Sequence, residues 1–410
     1  MQQNACATAR VPCSSRIEWP EMSSLTETIA ILDRLIAYPT VSADSNLELI
    51  AFAAELLGKC GAQITLHQDL GGGKANLFAT LGHGTEGGIL LSGHTDVVPA
   101  IPSDWTSDPF VLRRENGKLY GRGSCDMKGF VAAVLAMVPY YSSLDLKRPL
   151  HVALTYDEEV GCLGACHLVV QLRQEGIRPA MAFIGEPTGM RVIEGHKGCY
   201  EYTTTFYGTN GHGSEPDKGV NAIHFANKYI SRLLQIGQDL KNEPPEEGAR
   251  FSPPWTTVQV GRIDGGSARN VIAGKCDVEW EMRPVRPEDA LLVKVELESY
   301  CRNVLLPEMR SIHPEADIVT EVVGEVEGLA ISAENAARDI ALTLTGSNHS
   351  DVVAFGTEAG LFQSLGASAV VCGPGSIEQA HQPDEFVTVE QLQSCLDMLK
   401  GLGRILETKP

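Results

Sequence analysis

The 410-residue chain is poor in positive charge, with 33 lysines and arginines against 52 aspartates and glutamates, and no segment gathers a basic run. Phosphate recognition needs a basic face, so a formal net charge of -19 argues against a nucleic-acid partner. No apolar stretch approaches the ~20 residues that span a bilayer, so no membrane partner is expected. Eleven cysteines are scattered without a Cys-x-x-Cys, and Cys162, Cys166, Cys199 and Cys276 sit in apolar, helix-like surroundings. Buried reduced thiols of a cytoplasmic protein are the ordinary reading of that pattern. Residues 1–21 have no periodicity and no continuous apolar core, so they are not a secretory signal; the ordered pattern starts at Met22, leaving an upstream start or a disordered tail. The run Gly71-Gly72-Gly73 lacks the strand-to-helix phosphate fingerprint and reads as a loop.

What is present is a pattern repeated four times: an apolar run leading into an acidic residue or a histidine. Ile89-Leu90-Leu91 leads into His94-Thr95-Asp96, and His151 to Thr155 into Asp157-Glu158-Glu159. Met181 to Ile184 leads into Glu186, and Ala369-Val370-Val371 reaches His381 through the Gly373-Pro374-Gly375 turn. Short buried runs alternating with helices read as parallel strands of an α/β sheet, whose sites form at the carboxyl ends. Carboxylates and imidazoles gathered there are the donor set of a divalent metal.

Helical spacing is expected over Thr26 to Ala37, Leu47 to Lys59, Met127 to Val138 and Gly161 to Glu175. The character changes after Glu186. Tyr200 to Tyr207 reads as a half-exposed strand, Ala222 to Leu240 as a long helix, and Thr256 to Ile263 and Ile272 to Arg283 as strands. Glu288 to Leu305 is a second long helix and Ala316 to Val323 a last strand. Strand-helix-strand-strand-helix-strand is the split βαβ order of ferredoxin-like domains. Two domains are the prior for this length. The expected division is a catalytic domain over 22–197 and 327–410, with an α+β domain inserted over 198–326.

Singly, each site residue has a plain structural reading. His94, two residues from Asp96, is explained as a buried histidine satisfied by backbone, or as a metal ligand with a carboxylate near to set its tautomer. Asp126, ahead of the Met127 helix, fits a helix N-cap, although a carboxylate also bridges two cations. Glu158 and Glu159 are adjacent and, in extended backbone, point apart, so that one could bind metal and the other face water. Glu186 precedes Pro187, which holds it extended. His212 has a bland reading as a loop histidine among glycines.

The segments Ser92-Gly93-His94-Thr95-Asp96-Val97-Val98-Pro99, Tyr120-Gly121-Arg122-Gly123 through Asp126-Met127-Lys128-Gly129, Asp157-Glu158-Glu159, Gly185-Glu186-Pro187-Thr188 and Ala380-His381-Gln382-Pro383-Asp384-Glu385 together resemble one family. It is the dinuclear-zinc amidohydrolases, which include acetylornithine deacetylase, succinyl-diaminopimelate desuccinylase and bacterial glutamate carboxypeptidase. The resemblance runs from about Leu25 onward. The stretches Thr155 to Ala165, His196-Lys197-Gly198 and Cys372 to Ile377 are closest in style to the acetylornithine deacetylases.

The resemblance implies a mixed central sheet flanked by helices, with an inserted ferredoxin-like lid and dimerisation domain. It implies two divalent cations, zinc or else cobalt, with Asp126 bridging, His94 and Glu186 completing one site and Glu159 and His381 the other. Glu158 is then the general base, Asp96 supports His94, and His212 meets the oxyanion, from across a dimer interface in relatives. Asn270, Arg283 and Gly373 become substrate contacts, and a homodimer is expected. The implied reaction is hydrolysis of N2-acetyl-ornithine to ornithine and acetate, in arginine biosynthesis. The same chemistry on acetylcitrulline, succinyl-diaminopimelate, another acyl-amino acid or a dipeptide stands as the alternative. A non-catalytic protein keeping the fold would be expected to have lost ligands or base, and all are present.

Overall fold

The computed structural model describes residues 24–409; the expected disordered leader, 1–21, and the start at Met22 lie outside the described residues. The chain forms two compact units. One takes the chain up to Glu194, then Ala333–Asp351 and everything from Leu361; the other is Gly195–Ser332 with Val352–Gly360. The second unit is therefore wider than 198–326. His196 explains the widening, because its backbone N–H donates to Leu329 O at 3.1 Å and its Nε2 meets Thr357 Oγ1 at 2.9 Å.

In the first unit, six neighbouring strands run in the order Gln63–Gln68, Ala75–Leu81, Leu150–Thr155, Ile89–His94, Met181–Pro187, Ser368–Gly373. The last four are parallel to one another and the first two antiparallel, a mixed sheet. Gly71-Gly72-Gly73 lies in the turn of the hairpin joining the first two. Strands Ile89–His94, Leu150–Thr155 and Met181–Pro187 are buried along their whole length, which is why they read as continuous apolar runs and not as alternations.

Helix Lys128–Ser143 is buried over nearly its whole first three turns. It runs through Pro139, where the apolar run predicts an end at Val138. Its approach to the sheet is set by glycine: a Cβ on Gly185 would sit 1.9 Å from the Phe130 ring. That contact seats the strand immediately before Glu186.

In the second unit, strands Thr257–Gly265, Lys275–Arg283, Cys199–Tyr207 and Asp317–Val326 form an antiparallel sheet in that spatial order. With helices Ala222–Asn242 and Pro287–Tyr300 between them in sequence, this is the βαββαβ order that the sequence predicts. Tyr200, Tyr202, Phe206, Tyr229 and Trp280 fill its core. Cys199 and Cys276 belong to these strands and not to helices.

Two elements differ from expectation. The strand expected over Ile272 to Arg283 is interrupted: Val271–Ile272 pairs with Gly211–His212, and the long strand starts at Lys275. Gly274 marks the break, since a Cβ there would fall 2.4 Å from Asn210 Oδ1. The helix expected over Glu288 to Leu305 ends as an α-helix at Tyr300, passes through a π-turn, Cys301–Leu305, and resumes over Leu306–Ile312. Pro307 carries no N–H and its ring opposes the carbonyl four residues back, so a regular ladder fails there. Among the described residues no helix is long and apolar enough to cross a membrane, and no disulfide joins their nine cysteines.

Candidate functional site

The carboxyl ends of the parallel strands bring the sequence-predicted residues together. His94 is the last residue of its strand, Asp157-Glu158-Glu159 follow Leu150–Thr155, and Glu186 is the penultimate residue of Met181–Pro187. His381 arrives on the loop after Ser368–Gly373, with φ at +62°. Asp126 lies between two groups: its Oδ1 is 3.0 Å from His94 Nε2, and its Oδ2 is 3.5 Å from His381 Nε2. Glu186 Oε2 stands 3.9 Å from His94 Nε2, and Glu159 Oε2 3.0 Å from His381 Nε2.

Each trio, His94–Asp126–Glu186 and Asp126–Glu159–His381, offers ligand atoms within 4.8 Å of one another and could hold a metal ion. Ligand atoms about 2.0–2.2 Å from a tetrahedral cation lie about 3.4 Å apart, and the observed separations bracket that value. The donor set, imidazole with carboxylate and no thiolate, suits zinc or another divalent ion of similar hardness. Asp126 is not a helix N-cap: Met127 holds that position and its side chain makes no capping bond.

The His94–Asp96 relationship is different from a simple carboxylate–imidazole pair. His94 Nδ1–H donates to the backbone carbonyl of Asp96 at 2.9 Å, while the nearest carboxylate oxygen is 3.6 Å away. The carbonyl thus fixes the tautomer and leaves Nε2 to the cluster. The Asp96 carboxylate accepts the backbone N–H groups of Glu158 at 3.0 Å and Glu159 at 3.3 Å, and the Ser42 hydroxyl at 2.7 Å.

Glu158 and Glu159 are consequently in a turn and not in extended backbone. Asp157 has φ at +54° and accepts from Lys74 Nζ at 2.6 Å, and the same ammonium donates to Ser42 O at 2.5 Å. The two carboxylates still diverge. Glu159 faces His381, and Glu158 Oε1 accepts from the Cys162 thiol at 3.5 Å.

Electrostatically the cluster is acidic and largely buried. His94 is fully buried, whereas the His381 side chain is 50% exposed and stands at the mouth. Burial opposes charge on His94, but the Asp126 and Asp96 carboxylates outweigh it and hold the ring well above the usual histidine range. The Glu159 hydrogen bond raises His381. Burial and the neighbouring Asp126 raise Glu159. Burial would raise Asp126 too, but the His94 hydrogen bond and charge overcome it and lower that carboxyl. A field that pulls protons onto both imidazoles is one that favours cations in their place.

Other expected site residues lie in the second unit. His212 is exposed, on the short strand Gly211–His212, with Nδ1 2.7 Å from Ser214 Oγ. Asn270 O accepts from Gly213 N–H at 2.8 Å, so these two belong to one local structure. Arg283 donates to Glu281 through Nε and Nη2 at 3.1 and 2.7 Å. Cys199, Glu201 and Glu281 form a third trio of potential ligands, but Arg283 already supplies positive charge there. Gly373 ends its strand in the first unit, where a Cβ would lie 2.0 Å from Gly185 O.

Sequence reasoning misses Ser42, Lys74, Arg122 and Glu385 as supports of the site. Arg122 and Glu385 fall inside the motif segments, yet nothing local signals that they pair across the fold at 2.7 Å.

Comparison with known proteins fits this geometry. The chain is 34% identical over 384 residues to an acetylornithine deacetylase of Shigella sonnei, covering 92% of this chain and 97% of that one. An M20 family metallo-carboxypeptidase from Sulfolobus solfataricus superposes with a TM-score of 0.74 at 18% identity, over 93% of this chain and 99% of the other. A tripeptidase from Staphylococcus aureus gives 0.68 at 21% identity, over 93% and 98%. The model of peptidase family M20/M25/M40 matches residues 90–404, a span that holds every member of both trios. The chain belongs to peptidase family M20/M25/M40, and is an enzyme of that hydrolase family.

Proposed function

We propose that the enzyme hydrolyses the N-acetyl amide of N2-acetyl-L-ornithine, giving L-ornithine and acetate for arginine biosynthesis in the cytoplasm. The observation that carries the chemistry is the sharing of Asp126 between two ligand trios, with one oxygen toward His94 and the other toward His381. The substrate rests on the near full-length similarity to the acetylornithine deacetylase.

In this reading His94, Asp126 and Glu186 hold one divalent cation and Asp126, Glu159 and His381 a second, zinc or cobalt. Such cations acidify water and polarise a carbonyl at neutral pH. Glu158 takes a proton from the attacking water and delivers it to the departing amine, which leaves as ornithine. Asp96 acts through its neighbours, setting the backbone of Glu158 and the tautomer of His94. His212 is assigned to the oxyanion, with Asn270, Arg283 and Gly373 contacting the substrate. Residues 198–326 are assigned as an inserted lid and dimerisation domain of a homodimer.

The deciding experiment compares turnover of N2-acetyl-ornithine, N-acetylcitrulline, N-succinyl-diaminopimelate and a dipeptide set by the purified, metal-loaded enzyme. The proposal expects the highest kcat/KM on N2-acetyl-ornithine. A dipeptide or succinylated substrate favoured tenfold or more would replace the substrate while leaving the chemistry.

A further inference from the structure

The loop Gly121 to Asp126 and the segment His381 to Glu385 are about 260 residues apart in sequence, and one carboxylate joins them. Glu385 is 1% exposed. Its Oε1 accepts the backbone N–H groups of Cys125 at 2.8 Å and Asp126 at 3.0 Å. Its Oε2 accepts the N–H of Gly123 at 3.0 Å and Arg122 Nη1 at 2.7 Å. The backbone repeats the link, since Glu385 O accepts from Gly121 N–H at 3.0 Å and from Ser124 Oγ at 3.3 Å. Arg122 in turn reaches Gln382 O at 3.4 Å, beside His381, and its guanidinium lies 5.1 Å from the centre of the Trp105 ring.

All four side-chain partners of Glu385 are donors. Both terminal atoms must therefore be acceptors, and among the side chains of this length only a carboxylate qualifies. A buried carboxylate is costly unless hydrogen-bonded, so a site built with four donors is specific for it. The clamp's two ends carry Asp126 and His381, whose side chains approach to 3.5 Å in one ligand trio.

We infer that Glu385 is a positioning residue that locks Asp126 and His381 in register, so that the trio they share with Glu159 holds its cation. The inference rests on the dinuclear reading above and adds a residue that touches neither cation nor substrate.

Cobalt(II) titration of metal-free protein, followed by visible absorption, tests it. Wild type should take up two equivalents. Glu385→Gln places an NH2 against N–H donors whichever way the amide turns, and should weaken one of the two equivalents ten- to a hundredfold and alter the cobalt bands. Glu385→Asp keeps the charge but draws it back by one methylene; it should fall between the two, and serves as the test if the glutamine variant does not fold. Asp384→Asn, next in sequence, bonded to Thr106 at 2.8 and 3.1 Å and paired with Arg113 at 3.9 Å, should titrate like wild type. A folded Glu385 variant with wild-type cobalt affinity, stoichiometry and spectrum overturns the inference. Wild type taking up fewer than two equivalents overturns the dinuclear reading itself, and this inference with it.

Discussion

The Asp96 carboxylate accepts the backbone N–H of Glu158 at 3.0 Å, while the Asp96 carbonyl takes the Nδ1–H of His94 at 2.9 Å. One residue therefore seats both the proposed proton carrier and a proposed metal ligand. In Asp96→Asn the amide NH2 must face one of the N–H groups of Glu158 and Glu159 or the Ser42 hydroxyl. Second-sphere changes of this kind cost about 10–100-fold in activity or metal affinity. Steady-state kinetics with metal analysis should show kcat reduced in that range, with the fold kept.

Glu158→Ala removes the proposed proton carrier and leaves both ligand trios whole. Turnover should drop by about 10²–10⁴-fold, the range for loss of general acid–base catalysis. Cation content, read by elemental analysis, should match wild type. Normal turnover in this variant would refute the role given to Glu158.

Chelation should abolish activity and lower thermal stability together, because the proposed cation pair would bind the folded protein only. At a cation concentration 100 times its dissociation constant, binding contributes about 2.7 kcal/mol to stability. Calorimetry before and after dialysis against a chelator, then after adding zinc or cobalt, should show loss and recovery. Asp126→Ala, which breaks both trios, should unfold at the same temperature with or without zinc.

His151, far along the sheet from the cluster, gives a pH dependence of stability. Burial lowers its pKa to about 4, and its ring stacks on Phe78 at 5.2 Å. Unfolded, the imidazole titrates near about 6.5. Between those values the unfolded chain binds the proton and the folded one does not, so stability is full above about 6.5 and is lost as pH falls toward about 4. The contribution is about 3 kcal/mol at its limit. In urea unfolding, the stability gap between wild type and His151→Gln should be constant above neutrality and narrow by that order at acid pH. A gap independent of pH would remove the assignment.

Gly373→Ala should be destabilising by about 1–3 kcal/mol or more, the cost of overpacking, since the new methyl meets Gly185 O at 2.0 Å. The displaced strand carries Glu186, so cation affinity should fall with stability. Denaturant unfolding and metal titration on one preparation check both.

The parts of this molecule that local pattern specifies were legible. Apolar runs marked the buried parallel strands, and the acid or histidine after each marked the carboxyl-end cluster. The β-branched and aromatic residues of Tyr200 to Tyr207 marked a half-exposed strand, and its burial alternates. The pattern failed where long-range contact decides. Nothing near Asp126 indicates that its backbone is held by Glu385, 259 positions away. Glu158 and Glu159 looked extended because the positive φ of Asp157, supported by Lys74, is invisible in a run of acids. The break before Lys275 depends on Asn210 lying against Gly274, and only the assembled sheet reveals that.

The most direct test is anomalous diffraction at the zinc edge from crystals of the native protein grown with zinc. Two peaks should flank Asp126, one within bonding distance of His94 and Glu186 and the other of Glu159 and His381. A single peak, or peaks bound elsewhere while N2-acetyl-ornithine is still hydrolysed at full rate, would contradict the account.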